Sequence, residues 1–488
     1  MQKYSLKVRL KKLLIFILYL LVILIVIITT SVLFAKYIVP DDLMPVEDQT
    51  SLTIDNINIV TMSKKDERIT STNILRNSQL VIDKGIITAI NPAGTPASKN
   101  SRLINVESAY GVPGLFDMHV HLYERKYLVL NLAYGITSVR AMNGQPMHLR
   151  WKEELKNNEW LGSNLTISSP ILDGINTNIL SLAITSPEAG REQVRKAKDN
   201  GYDFIKAYGY LDGDSFEAIV DEANKIGIKV AKHGPHPVKG VDWKWLKGMQ
   251  SLEHVEDIFQ GPLNYEFDFE KLQVIAKKIK SLNVPIVPTL ETFDHLTQLS
   301  KNKQQFIESL ELDYLNPFYF DIMQHFTVER WLKANEKQSQ YLTKENQFLA
   351  SITKALHDEG VKLLVGSDAG TNHTIPGIAT HNEMRLLKQA GLSDYDVLKA
   401  ATINAAETLG IDEQYGSIEV GKIADLVLTR NNPLKNITEL KQTFAVVKNG
   451  QWLSQSKLKA LRASAKNNQS YYWSVIKLLE ALIDRHLF

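Results

Sequence analysis

The chain has 488 residues, 44% of them hydrophobic, enough to bury a large core and to build more than one structural unit. Its formal net charge of +2 comes without a basic stripe, so the concentrated lysine and arginine that nucleic-acid binding needs are missing. There is no cysteine, which excludes disulfides and thiolate metal sites and leaves nitrogen and oxygen as the ligands for any metal.

Residues 1–12 form a basic segment with Lys3, Lys7, Arg9, Lys11 and Lys12, and 13–35 are an almost unbroken apolar run. As a helix, that run would reach roughly 34 Å against a bilayer core of about 30 Å. A cleaved signal peptide is the competing reading, but its apolar region should be about 7–15 residues long and end in a small-x-small site, which Leu33-Phe34-Ala35 fits poorly. The run is therefore expected to be an uncleaved single-pass anchor, and because acidic Asp41, Asp42, Glu47 and Asp48 follow it, the positive-inside rule predicts its orientation. The N-terminus would stay in the cytoplasm. In a bacterium the remainder would then lie on the periplasmic face of the inner membrane.

Residues 36–50, with Pro40 and Pro45, read as a tether. Alternating segments such as 78–83 and 86–90, broken by Gly85 and by 92–96, predict short antiparallel strands in a small β-unit over 51–110. From 111 to 410 the pattern becomes strand then helix, repeatedly. Eight strands are predicted, at 112–121, 136–142, 165–170, 204–209, 229–234, 251–255, 284–290 and 362–369, with helices such as 188–200 and 215–226 between them. Eight such repeats imply a (β/α)8 TIM barrel, whose catalytic residues stand at the C-terminal ends of its strands. Residues 291–346 are a largely helical insertion at that end, where insertions cap sites and set substrate choice. Glycine-punctuated β pattern returns over 411–455, so the β-unit is expected to be a discontinuous sandwich built from both flanks of the barrel. In the tail, 456–488, apolar residues from Tyr471 to Ile483 recur at helical spacing. They predict a helix docked on the barrel, with contact to the bilayer or another subunit as the alternatives.

The chemistry concentrates at Gly114-Leu-Phe-Asp-Met-His-Val-His121. An apolar run ends in two histidines at i and i+2, and strand side chains alternate faces, so both imidazoles emerge on one side. Later predicted strands end in Lys206, His233, His254 and Asp368, delivering histidine, carboxylate and lysine to one place.

With 113–121, Gly135-Ile-Thr-Ser-Val-Arg140, Gly366-Ser-Asp-Ala-Gly370, 400–406 and 416–426, the chain resembles the amidohydrolase superfamily over about 50–455. The resemblance implies His119 and His121 as a ligand pair on strand one, His233 and His254 on strands five and six, and Asp368 on strand eight. It implies Lys206 as a carboxylated lysine bridging two divalent ions, most simply zinc. An ammonium cannot ligate a cation, whereas a buried neutral amine can become an anionic carbamate whose two oxygens bridge metals about 3.5–4 Å apart.

The context Asp203-Phe-Ile-Lys206 looks like the subgroup of Xaa-Pro dipeptidases. The implied activity is hydrolysis of an amide or peptide bond in a small substrate such as a dipeptide, with Asp368 as catalytic acid/base. An imidazolonepropionase-like opening of a cyclic amide is the alternative, against which Lys206 argues. A non-catalytic scaffold on the same fold is the reading from another class. His236, Arg140 and Tyr208 are candidate substrate contacts. The chain departs from many relatives at Ala141, Lys232 and Pro235.

Overall fold

The computed structural model describes residues 2–37, 51–63, 74–174, 181–233, 242–466 and 470–486. The expected tether and His236 lie outside the described residues, the tether except for its first two positions. The first helix runs Gln2–Tyr37, starting within the basic segment, and its stretch Val8–Phe34 is long and apolar enough to cross a membrane.

One sheet takes strands from both flanks of the chain. Its members are β1 (Ser51–Ile59), β2 (Leu75–Asp83), β3 (Ile86–Pro92), β4 (Arg102–Asn105), β5 (Tyr110–Pro113) and, far along the chain, strands that lie in 426–453. Alternating Leu52, Ile54, Leu80, Ile82, Leu426 and Leu428 fill its own core. The pairing is not purely antiparallel as expected, since β4 and β5 both run parallel to β1.

The predicted first strand, 112–121, is two strands. Gly114 separates β5 from β6 (Leu115–Val120), which belongs to a different sheet, and a side chain at 114 would collide with Thr137. Next come β7 (Ile136–Ala141) and β8 (Asn164–Ile167), then β9 (Ile171–Asp173) and β10 (Ser181–Ala183), which form two short pairings outside the predicted eight strands. They are followed by β11 (Phe204–Ala207), β12 (Lys229–His233), β13 (Ser251–Glu253) and β14 (Ile286–Val287).

Neighbours are parallel from β6 to β7 to β8 and from β11 to β14. Isolated parallel bridges join Ser168 to Phe204, Ile286 to Leu363 and Ala369 back to Val120. The path thus returns to its starting strand. The predicted strand 362–369 keeps only those bridging contacts, helped by Met118 N donating to Val365 O and Asp368 N to His119 O, both at 2.8 Å. The late strands of the first sheet are β15 (Leu426–Thr429), β16 (Ala445–Lys448) and β17 (Gln451–Leu453).

Helices fall where sequence punctuation puts them. Asp212 caps the helix Gly213–Ile226 by accepting from Ser215 N at 2.8 Å, and Gly227 ends it in the left-handed region at φ 71°. The insertion is helical through Leu290–Glu308, Pro317–Met323, a π-turn at 324–328 and Glu336–Asp358. The tail forms helices Gln455–Lys466 and Tyr471–His486, the latter pairing through Glu480 with Arg150 and through Lys477 with Glu124.

Two buried histidines that are not among the metal-ligand candidates contribute a pH dependence to stability. His148 Nε2 lies 3.1 Å from Leu122 O, and His381 Nε2 lies 2.8 Å from Tyr134 O. Burial pushes both down to about 4, so the unfolded chain binds a proton near pH 6.5 and the folded chain only near 4. Stability from keeping them neutral is complete above about pH 6.5 and is lost as pH falls toward 4, by about 3 kcal/mol for each. Urea unfolding at pH 7 and 4.5 should show that loss, and His148→Phe should flatten it; an unchanged slope with pH would remove His148 from the explanation.

Candidate metal centre

His119 is the penultimate residue of β6, and His121 stands just past its end. Their rings are 5.5 Å apart, and Asp368 Oδ1 lies 3.0 Å from His121 Nε2 and 3.5 Å from His119 Nε2. Ligand atoms of these three residues lie within 4.8 Å of one another. The row of imidazoles continues with His254, 4.7 Å from His119 between ring centres, and His233, 4.5 Å from His254. Lys206, on β11, completes the group: its Nζ is buried with no hydrogen-bond partner and feels the charges of Glu253, Arg140, Asp368 and Asp257. The structure therefore brings all six expected ligand residues to one place.

The donor set suits a divalent cation. Burial pushes His119 down to about 4, His254 to about 3 and His233 well below its ordinary value, so all three are neutral imidazoles at pH 7, the form that ligates metal. Burial likewise lowers Lys206 to about 8, against the pull of Glu253. Lys206 Nζ and His233 Nδ1 are both buried without a hydrogen-bond partner, polar atoms that fit a site built to hold a cation.

Supporting residues fix the ring orientations. His119 Nδ1 is 2.8 Å from Glu253 Oε2 and His254 Nδ1 is 2.7 Å from Thr289 Oγ1, leaving each Nε2 for the site. Asp117 accepts from Ser367 Oγ and Thr380 Oγ1, both at 2.6 Å, and so ties β6 to the segment carrying Asp368. That segment approaches so closely that a Cβ at Gly370 would lie 2.2 Å from His121 O, and Gly370 also has φ 95°.

One expectation places differently. Arg140 is not at the cavity but fully buried beneath it, its guanidinium donating to Met118 O at 2.7 Å, Ser251 Oγ at 2.7 Å and Glu253 Oε1 at 2.8 Å. It therefore has no access to a substrate. Lys232, on the strand face opposite His233, sits over the Phe216 ring and feels the charge of Asp257. Tyr208 does line the cavity, stacked on His233 at 4.3 Å. Sequence pattern alone singles out neither Glu253 nor Thr289 nor Asp257, whose Oδ2 is 3.5 Å from His233 Nε2. Glu253 directly precedes His254, and simple strand alternation would place the two on opposite faces. His254 escapes that alternation with φ 66°.

The site opens into a cavity of about 1260 Å³, walled on one side by His121, Tyr208, His254 and Asp368 and on the other by Phe293, Tyr341 and Glu345 of the insertion.

Known proteins are similar at two levels. An imidazolonepropionase of Acinetobacter baumannii is 26% identical over 166 residues, which cover 33% of this chain and only 39% of that enzyme. A bottromycin amidohydrolase has the same fold with TM-score 0.72 and 22% identity, over 90% of this chain and 97% of its own. A Xaa-Pro dipeptidase with bound methionine matches with TM-score 0.62 and 18% identity, over 83% of this chain and all (100%) of its own. Residues 110–453 match the amidohydrolase family, and the chain belongs to it.

Proposed function

We propose that this protein is a membrane-anchored, binuclear metal-dependent hydrolase that cleaves a C–N bond in a small substrate, with an Xaa-Pro-type dipeptide as the first class to test. The observation that carries the reading is the cluster of four imidazoles, Asp368 and the partnerless Lys206 Nζ, of which His121, His233, His254 and Asp368 line one large cavity. Amidohydrolases generally bind divalent metals, and a His-His-Asp group is in place here. His119, His121 and Asp368 would hold one zinc ion, His233 and His254 the other, with a carboxylated Lys206 bridging them. Such ions would lower the pKa of water from 15.7 to about 7 and polarise the scissile carbonyl.

The chain's own residues then handle protons. Asp368 takes a proton from the attacking water and returns it to the departing nitrogen, which would otherwise have to leave as an amide anion, a very poor leaving group. Tyr208, on the cavity wall, is placed to orient the substrate. The dipeptide class is favoured by the likeness to a Xaa-Pro dipeptidase fold and by Lys206, which argues against cyclic-amide opening of imidazolonepropionase type. The ring of parallel pairings is read as the eight-stranded barrel, 111–410, with a composite β-unit from 51–110 and 411–455. Residues 13–35 are read as the anchor that keeps the catalytic unit outside the cytoplasm.

Elemental analysis should find about two divalent ions per chain, mostly zinc, and Lys206→Ala should lose activity with partial rescue by short carboxylic acids. One ion per chain, with full activity in Lys206→Ala, would reject the binuclear centre. An alkaline phosphatase fused after residue 50 should be active, since that enzyme folds only outside the cytoplasm; an inactive fusion would reverse the orientation.

A further inference from the structure

The two ends of the chain meet beside the active site. Phe34, the last residue of the apolar stretch Val8–Phe34, stacks on Trp473 with ring centres 5.2 Å apart, and Ser31 Oγ hydrogen-bonds to the Tyr472 hydroxyl. From the same place two short paths lead to the cavity. Arg125 Nη2 donates to Lys36 O at 3.2 Å, and Arg125 opens the helix that follows directly on His121 and Tyr123, both cavity-lining. Along the other, Tyr471 meets Phe318 at 5.9 Å, Phe318 meets Tyr319 at 5.3 Å, and Tyr319 stacks on Tyr123 at 4.8 Å.

The face of the C-terminal helix beside this junction is apolar and uncovered. Tyr471, Tyr472 and Val475 are 47%, 48% and 39% exposed, and the first turn has no acidic residue. Tyrosine and tryptophan concentrate at membrane–water interfaces, where an apolar ring and a polar tip are both satisfied. A residue touching the end of a membrane span stands within about a turn of the hydrocarbon edge. We propose that residues 471–475 sit in the headgroup layer of the bilayer and hold the rim of the active-site cavity at the membrane surface. This rests on the reading of residues 13–35 as an anchor. Lipid is favoured over a protein partner because the exposed patch is continuous with the span itself.

The absence of cysteine makes the test direct, because one introduced Cys carries the only label. In full-length protein reconstituted into phosphatidylcholine–phosphatidylglycerol vesicles, a nitrobenzoxadiazole probe on Val475→Cys should be quenched by a headgroup nitroxide lipid. A probe on Ile25→Cys should be quenched by a nitroxide deep in the acyl chain. Quenching at 25 without quenching at 475 overturns the proposal and leaves the anchor standing. No quenching at 25 removes the anchor and the proposal together. A probe at 475 shielded from aqueous iodide yet untouched by the lipid nitroxide would mean that a second copy covers this face, which also overturns it. Independently of labelling, bromolipid should quench the unmodified chain more than Trp473→Phe; equal quenching of the two counts against the proposal.

Discussion

Asp368→Asn is expected to lower turnover by at least about 10²-fold while leaving metal content near normal, the usual effect of removing a positioned acid/base. The asparagine keeps the shape and one coordinating oxygen but gives up nearly all basicity. It also suits the backbone: Asp368 has φ 57°, a left-handed conformation that asparagine enters as readily as aspartate, so strain does not confound the comparison. Burial works to raise the Asp368 pKa, but the surrounding histidines, His121 first through its hydrogen bond, outweigh it and keep the carboxyl below its ordinary value. The group is thus ionised and free to accept a proton. Turnover and metal content should be measured together on a substrate whose chemical step is rate-limiting. If the variant keeps its metal and more than a tenth of wild-type turnover, Asp368 is a ligand only, and the base should be sought elsewhere, first at His236.

Asp368 also shows where reading a sequence stops. Its position at the end of 362–369 follows from the apolar run Leu363-Leu364-Val365, and β6 ending at the two histidines follows from alternation. Both are local patterns. That the chain around Asp368 abandons strand geometry, keeping only bridges at Leu363 and Ala369, depends on tertiary contacts: Asp117 holding Ser367 and Gly370 lying against His121 O. His254 behaves alike. The predicted strand 251–255 stops at Glu253 because His254 turns to φ 66°, a conformation non-glycine residues adopt where surrounding structure enforces it. The sheet drawn from both flanks was legible because glycine-bounded β pattern flanks the strand–helix repeats. The parallel pairing of β4 and β5 with β1 was not, since short alternating runs carry no direction. Arg140 illustrates the same limit, as a conspicuous arginine near the end of a strand reads equally well as a substrate contact or as a buried partner.

That buried partnership carries the second large effect. Arg140 and Glu253 are both without solvent contact, joined at 2.8 Å, and Glu253 in turn holds His119 Nδ1 at 2.8 Å. Burial alone would raise Glu253, yet Arg140 and His119 together keep it well below the ordinary glutamate range, while burial lowers Arg140 against the pull of Glu253. Removing one member leaves the other charged and uncompensated, which costs about 3–5 kcal/mol, whereas replacing both with apolar residues of similar volume is often neutral. Losing the carboxylate behind a ligating histidine typically costs 10–100-fold in metal affinity. Arg140→Met should therefore lower unfolding stability of the metal-free protein by about 3–5 kcal/mol, and Glu253→Leu by a similar amount with weaker metal binding besides. The double variant separates the two roles: denaturant unfolding should recover most of the stability, because no lone charge remains, while metal titration should stay 10–100-fold weaker, because His119 has lost the acceptor that fixes its ring. Full recovery of metal affinity in the double variant would show that Glu253 does no more than neutralise Arg140. An additive loss of stability would show that the two residues do not act as a pair at all.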